Sequence, residues 1–264
     1  MSMAIKRLRN GLRLALGMEL EPGDVNKKML LPCNVIRAPK PAEKRTLIVL
    51  GMPSGGTSMT AGALRIMGVN MGDDYDDANQ EDYEFPRLAA SLQPLHDSKG
   101  RPIDSKFEEL RKLVRRRNEE KAVWGFKDPH SRLYIQEIYP ALRNPHFLMI
   151  FRDHMAAAQR INFRSQTEHL DSIEAYLDHQ MQLVRFVKSN KAPLLLISYE
   201  RALRLRESFA RQVAEFAGLE LDEETLSTVM HYIRPDRGGG NIDASYLATD
   251  KAFWRAREIK NPGK

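Results

Sequence analysis

The sequence predicts an α/β fold in which a parallel β-sheet is flanked by helices in a three-layer arrangement, and three observations carry that prediction. Thr46-Leu47-Ile48-Val49-Leu50 is a compact apolar, β-branched run ending in glycine, the form taken by a strand buried on both faces. Similar short apolar runs recur downstream with helix-spaced segments between them, the alternation that builds parallel sheets through right-handed crossovers. A chain of 264 residues, 42% of them hydrophobic, suffices for one large core.

Residues 1–44 read as an N-terminal basic, proline-containing extension, because Pro32, Pro39 and Pro41 punctuate a stretch without sustained periodicity. The domain is expected over 45–264. Its first strand leads through a glycine-rich loop to a helix from Thr57 to Met67, where Ala63, Leu64 and Met67 share a face and only Gly62 is unfavourable. Ile103, Phe107, Leu110 and Val114 then form a helical stripe ahead of a short strand, Ala122-Val123-Trp124-Gly125-Phe126. His146 to Phe151 is the next buried strand. A long helix is expected from about Glu168 to Lys188, with Leu170, Ile173, Leu177, Met181 and Val184 along one side. The strand Leu194 to Tyr199 and helices near 207–217 and 222–233 complete the pattern.

Composition narrows the function. The net charge of +6 arises from 41 Lys and Arg against 35 Asp and Glu, a mixed surface that suits an anionic small ligand better than a nucleic acid polymer. The single Cys33 forms no internal disulfide, and seven scattered His give no zinc-type cluster. No run approaches the roughly 18 apolar residues of a membrane span. The basic, amphipathic first residues, interrupted by Arg13, are too short in their apolar part for a signal peptide, so the expected location is cytoplasmic, with weak membrane-surface contact open to the N-terminus.

The loop Gly51-Met52-Pro53-Ser54-Gly55-Gly56-Thr57-Ser58 matches the phosphate-binding pattern G-x-x-x-x-G-K-S/T except that Thr57 stands at the lysine. Glycines let successive backbone N–H groups converge on one anion, and the helix that follows adds its positive end. Without the lysine, γ-phosphate transfer loses its usual electrostatic support. A terminal 5′-phosphate is the easier guest.

Arg45 to Gly72 resembles the cofactor-binding start of the sulfotransferases that use 3′-phosphoadenosine 5′-phosphosulfate (PAPS), particularly bacterial members with G-x-x-R-S-G-T-S loops. The resemblance continues through Trp124-Gly125-Phe126-Lys127-Asp128-Pro129, Phe151-Arg152-Asp153 and Ser198-Tyr199-Glu200, and covers most of residues 45–240. It implies a sulfotransferase-like P-loop fold and sulfuryl transfer to a hydroxyl or amine acceptor, without a metal.

The same resemblance implies the site residues. Pro53, Ser54, Gly55, Gly56, Thr57 and Ser58 would hold the 5′-phosphosulfate, and Arg152 the 3′-phosphate. Arg160, standing where the family has a serine, would assist, and Arg237 would close over the nucleotide. Ser54 replaces the family's basic loop residue, leaving open weaker cofactor binding, a substituted charge from Lys127, or an inactive relative. Glu84, in Asp82-Tyr83-Glu84-Phe85, resembles the family's general base, with Glu81, Asp82, His130 and His154 as rivals. The acidic run Asp73 to Asp77 matches no calcium loop. The mixed polar loops around 73–105 and 160–170 favour a sugar or glycan acceptor. The rival readings are a nucleotide or small-molecule kinase with a degenerate loop, and a noncatalytic nucleotide-binding module of the same fold.

Overall fold

The computed structural model of the chain describes residues 31–40, 42–74, 80–165 and 169–233. The chain divides into two compact units, Met1–Leu31 and Pro32–Lys264, and the sheet with its helices lies in the second. In chain order its elements are β1 (Cys33–Arg37), β2 (Arg45–Leu50), α1 (Thr57–Ile66), α2 (Glu84–Ser91), α3 (Asp104–Glu120), β3 (Val123–Lys127) and the single turn α4 (Ile135–Ile138). There follow β4 (Pro145–Phe151), α5 (His154–Ser165), α6 (His169–Ser189), β5 (Leu194–Ser198), α7 (Tyr199–Arg204), α8 (Arg206–Ala217) and α9 (Glu223–Tyr232).

The five strands lie in the order β1-β5-β4-β2-β3. β2 runs parallel to both β3 and β4, and β4 parallel to β5. Because side chains alternate along a strand, Leu47, Val49, Leu148 and Ile150 enter one core while Ile48, Leu50, Phe147 and Met149 enter the other. α1, α8 and α9 cover the first face; α2, α3, α5 and α6 contribute to the second. The sheet is thus the middle of three layers.

This topology positions the site. From β2 the chain leaves over one face and forms β3 on one side; after β3 it crosses to β4 on the other side of β2 and leaves over the opposite face. The C-terminal ends of β2 and β4 therefore flank a switch point, where open α/β sheets form their ligand crevice. Gly62 inside α1 also has a physical reason. Tyr232 of α9 packs so close that a Cβ there would stand 2.1 Å from its hydroxyl oxygen.

Two expectations need correction. The sequence placed no strand ahead of Arg45, yet β1 pairs antiparallel with β5, and Arg37 donates to the carbonyl oxygens of Ala192 and Val187. β1 is an edge strand with Val35 and Ile36 exposed, so it shows no buried apolar run. The long helix is present, but its apolar stripe is not the packed side: Leu170 is 71% exposed and Met181 47%. The buried line is Ser172, Tyr176, Gln180, Leu183 and Val187, which keeps helical spacing but mixes polar with apolar residues.

Candidate active site

Leu50 ends β2, and Gly51–Gly56 turn the chain into α1. Each glycine that could carry a side chain here would collide: a Cβ on Gly51 would stand 2.6 Å from Thr57 Cγ2, and one on Gly55 2.8 Å from the Met52 carbonyl oxygen. Gly56 has φ of 90° and lies under the Tyr199 ring, 2.2 Å from a would-be Cβ. The loop folds on itself through the Gly55 N–H, which donates to Met52 O at 2.9 Å. Ser54 takes a left-handed φ of 62°, unusual for a residue with a side chain. Gly56 is the N-cap of α1 and supplies no side chain to its first amides, and the Met59 N–H donates to the Gly56 carbonyl oxygen at 3.1 Å.

β4 delivers Arg152 to the same place. Its Nη1 donates to the Ser54 carbonyl oxygen at 2.7 Å, and its guanidinium carbon lies 4.7 Å from the centroid of the Tyr199 ring. Tyr199 thus braces Gly56 and Arg152 together, a role the sequence did not assign. Asp153 accepts from the Ala156 N–H and caps α5, while its own N–H donates to Glu200. Arg160 lies half-buried two turns further along α5. Arg237 lies outside the described residues, as do Tyr75 to Asn79 within the acidic segment.

Several buried polar atoms around the loop have no hydrogen-bond partner among the described residues: Ser54 Oγ, the Tyr176 hydroxyl and His154 Nδ1. Buried polar groups are nearly always satisfied, so these atoms have hydrogen-bonding capacity to spare beside the loop.

At β3 the arrangement is different. Lys127, its side chain 3% exposed, donates from Nζ to Glu81 Oε1 at 2.8 Å. Burial would raise the Asp128 carboxyl, but hydrogen bonds from the His130 side chain and the Tyr134 hydroxyl, with a smaller one from the His130 backbone N–H, hold it below the usual range. Glu84 opens α2 and is gripped by Arg116 and Arg117. Arg117, itself 5% exposed, also binds the fully buried Asp82, and its guanidinium carbon lies 5.3 and 5.6 Å from the ring centroids of Phe85 and Trp124. Burial raises the Asp82 pKa despite Arg117. Burial would also raise that of Glu84, but the two arginines bring it below its ordinary value.

The sequence profile of a family described as "Sulfotransferase family" matches residues 60–223. The chain belongs to the sulfotransferase family. The matched segment begins inside α1, beyond the loop, so the assignment does not depend on Ser54. Solved structures similar to this chain include the sulfotransferase domain of the Synechococcus PCC 7002 olefin synthase, at 14% identity and TM-score 0.47, covering 80% of this chain and 86% of that one. Mouse sulfotransferase SULT7A1 complexed with PAP gives 13% and 0.45 over 78% and 70%. Sulfotransferase STF9 from Mycobacterium avium gives 12% and 0.45 over 81% and 77%. No curated protein matches.

Among the described residues, no group of three or more His, Cys, Asp or Glu could hold a metal, and no helix is long and apolar enough to cross a membrane. Of the expected site residues, the structure brings Ser54, Gly55, Gly56 and Arg152 together at the switch point, with Tyr176 and Tyr199 added. Lys127 and Glu81 meet at the end of β3. Glu84 stands with Arg116 and Arg117 instead.

Proposed function

We propose that this sulfotransferase moves a sulfuryl group from PAPS to a hydroxyl acceptor by in-line displacement. The observation that carries the reading is the direct bond from Arg152 to the loop at Ser54, which makes the cation at the end of β4 and the glycine cradle at the end of β2 one anion-binding surface. The residues fit a nucleotide with two phosphate positions: an uncapped helix start, orphaned hydroxyls beside it, and a guanidinium braced on Tyr199.

PAPS supplies an activated sulfuryl group on a phosphate leaving group. In this reading the loop amides with Ser54, Thr57 and Ser58 hold the 5′ end, Arg152 with Arg160 selects the 3′-phosphate, and Arg237 belongs to the closing segment. Lys127 stabilises charge on the leaving phosphate oxygen. The proton of the acceptor hydroxyl passes to Glu81. Glu84 was the first expectation for that role, but two arginines hold its carboxylate ionised and weaken it as a base. Glu81, on the same short segment, reaches Lys127.

For the acceptor we favour a polar, sugar-like hydroxyl compound, on the mixed polar and charged composition of the loops around 73–105 and 160–170. Met155, 64% exposed beside Asp153, favours an apolar acceptor as the second reading, so both kinds belong in an acceptor panel.

Calorimetry with 3′,5′-adenosine diphosphate (PAP) and with ATP tests the cofactor. Binding of PAP is expected; binding of ATP without PAP would replace this reading with a kinase. PAPS binding with no label transferred to any acceptor on a broad hydroxyl panel would make the protein a binding module.

A further inference from the structure

Three residues on the packed line of α6, Ser172, Tyr176 and Gln180, carry buried polar atoms without a hydrogen-bond partner among the described residues, and of these Tyr176 reaches the phosphate loop. Tyr176 is 1% exposed, and its ring lies 5.4 Å from that of His154. Its hydroxyl arrives at the phosphate loop: a Cβ built on Gly55 would stand 3.2 Å from it. There it has no hydrogen-bond partner among the described residues, and neither does Ser54 Oγ on the neighbouring residue. Phenylalanine would fill the same space without an unmet polar atom, so the hydroxyl has no purpose in packing.

We infer that Tyr176 is a binding residue for the nucleotide's 5′ end, its hydroxyl donating to an anionic oxygen held against Gly55. This deepens the reading of the site given above and rests on it. The surroundings suit a donor. Burial, opposed by Arg152 and aided by Glu200, pushes the tyrosine up to about 12, so it keeps its proton at neutral pH. The arrangement also answers the substitution at Ser54. Where the resembling loops carry a cation, this chain directs two neutral hydroxyls, one from the loop and one from a helix more than a hundred residues later. Neutral donors bind a phosphate or sulfuryl oxygen without offsetting its charge. Charge then falls to Arg152 and Lys127.

The test is Tyr176→Phe, read by calorimetry with PAP and PAPS and by melting temperature without ligand. Wild type is expected to bind both nucleotides, and the variant to bind about tenfold or more weakly, the effect of losing a hydrogen bond to a charged group. Weakening with both nucleotides assigns the hydroxyl to the 5′-phosphate; weakening with PAPS alone assigns it to the sulfuryl oxygens. The unliganded melting temperature is expected to stay or rise, because an unmet hydroxyl has been removed. Unchanged affinity in the variant beside a binding wild type would overturn the inference and leave the proposed function standing. A melting temperature lowered with affinity unchanged would make Tyr176 structural. A wild type that binds neither nucleotide would overturn both.

Discussion

Asp82, Glu84 and Arg117 meet one another in a closed set of ion pairs under Phe85 and Trp124, whereas Ser54, in the loop after β2, and Tyr176, reaching that loop from α6, direct buried hydroxyls at no partner among the described residues. Both places are polar and both are buried. What separates them is satisfaction: matched charges hold a backbone segment in place, while unmatched donors wait on a ligand. Polar burial alone therefore does not mark a site. The Asp82–Arg117 pair instead explains how Glu81 is presented, since Asp82 and Glu84 are fastened on Arg117 and the preceding residue turns to Lys127.

The comparison breaks most visibly at Arg117. Arg117→Met keeps length and apolar contact but leaves Asp82 buried without its cation, and breaking one side of a buried pair costs about 3–5 kcal/mol. Urea unfolding should show that loss. A variant as stable as wild type would mean that Asp82 is not held as an ion. Next in size is Glu81→Gln. It should lower turnover about a hundredfold or more with little change in PAP affinity, as removal of a general base does. Glu84→Gln should leave turnover within a few-fold. Equal losses in the two variants would return the base to Glu84 or to neither.

How far the sequence could see follows the same division. The β2–loop–α1 unit was legible because it is contiguous, and Arg152 because it ends a plain apolar strand. The neighbours that complete the site were not. Tyr199 lay in a recognised segment but acquires meaning only when its ring covers Gly56. Tyr176 sits on a helix whose strongest apolar periodicity runs along its exposed side, so the packed line, interrupted by Ser172 and Gln180, gave a weaker signal. Choosing among Glu81, Asp82 and Glu84 needed Arg117, more than thirty residues away. β1 was hidden by its exposed apolar residues, and its place comes from pairing with β5.

The smallest effect tests whether the β3 set is electrostatic at all. Glu84 has its folded-state pKa below the ordinary 4.5; burial opposes this, and hydrogen bonds from Arg117 and Arg116 outweigh it. A carboxylate depressed on folding contributes stability that is fully present above its unfolded pKa and is lost as the pH falls through the folded one. Asp82 moves in the opposite sense, raised by burial, so protonating it in acid favours the folded state and masks part of the trend in wild type. The difference between wild type and Glu84→Gln removes most of that masking. With Glu84 partly exposed, it should be at most about 1 kcal/mol at neutral pH. It should shrink toward zero as the pH falls below the ordinary 4.5 and through the lower folded value, and shrink at neutral pH in high salt. A difference that stays constant from neutral pH into acid would make Glu84 a packing residue, and the closed set would reduce to Asp82 and Arg117 alone.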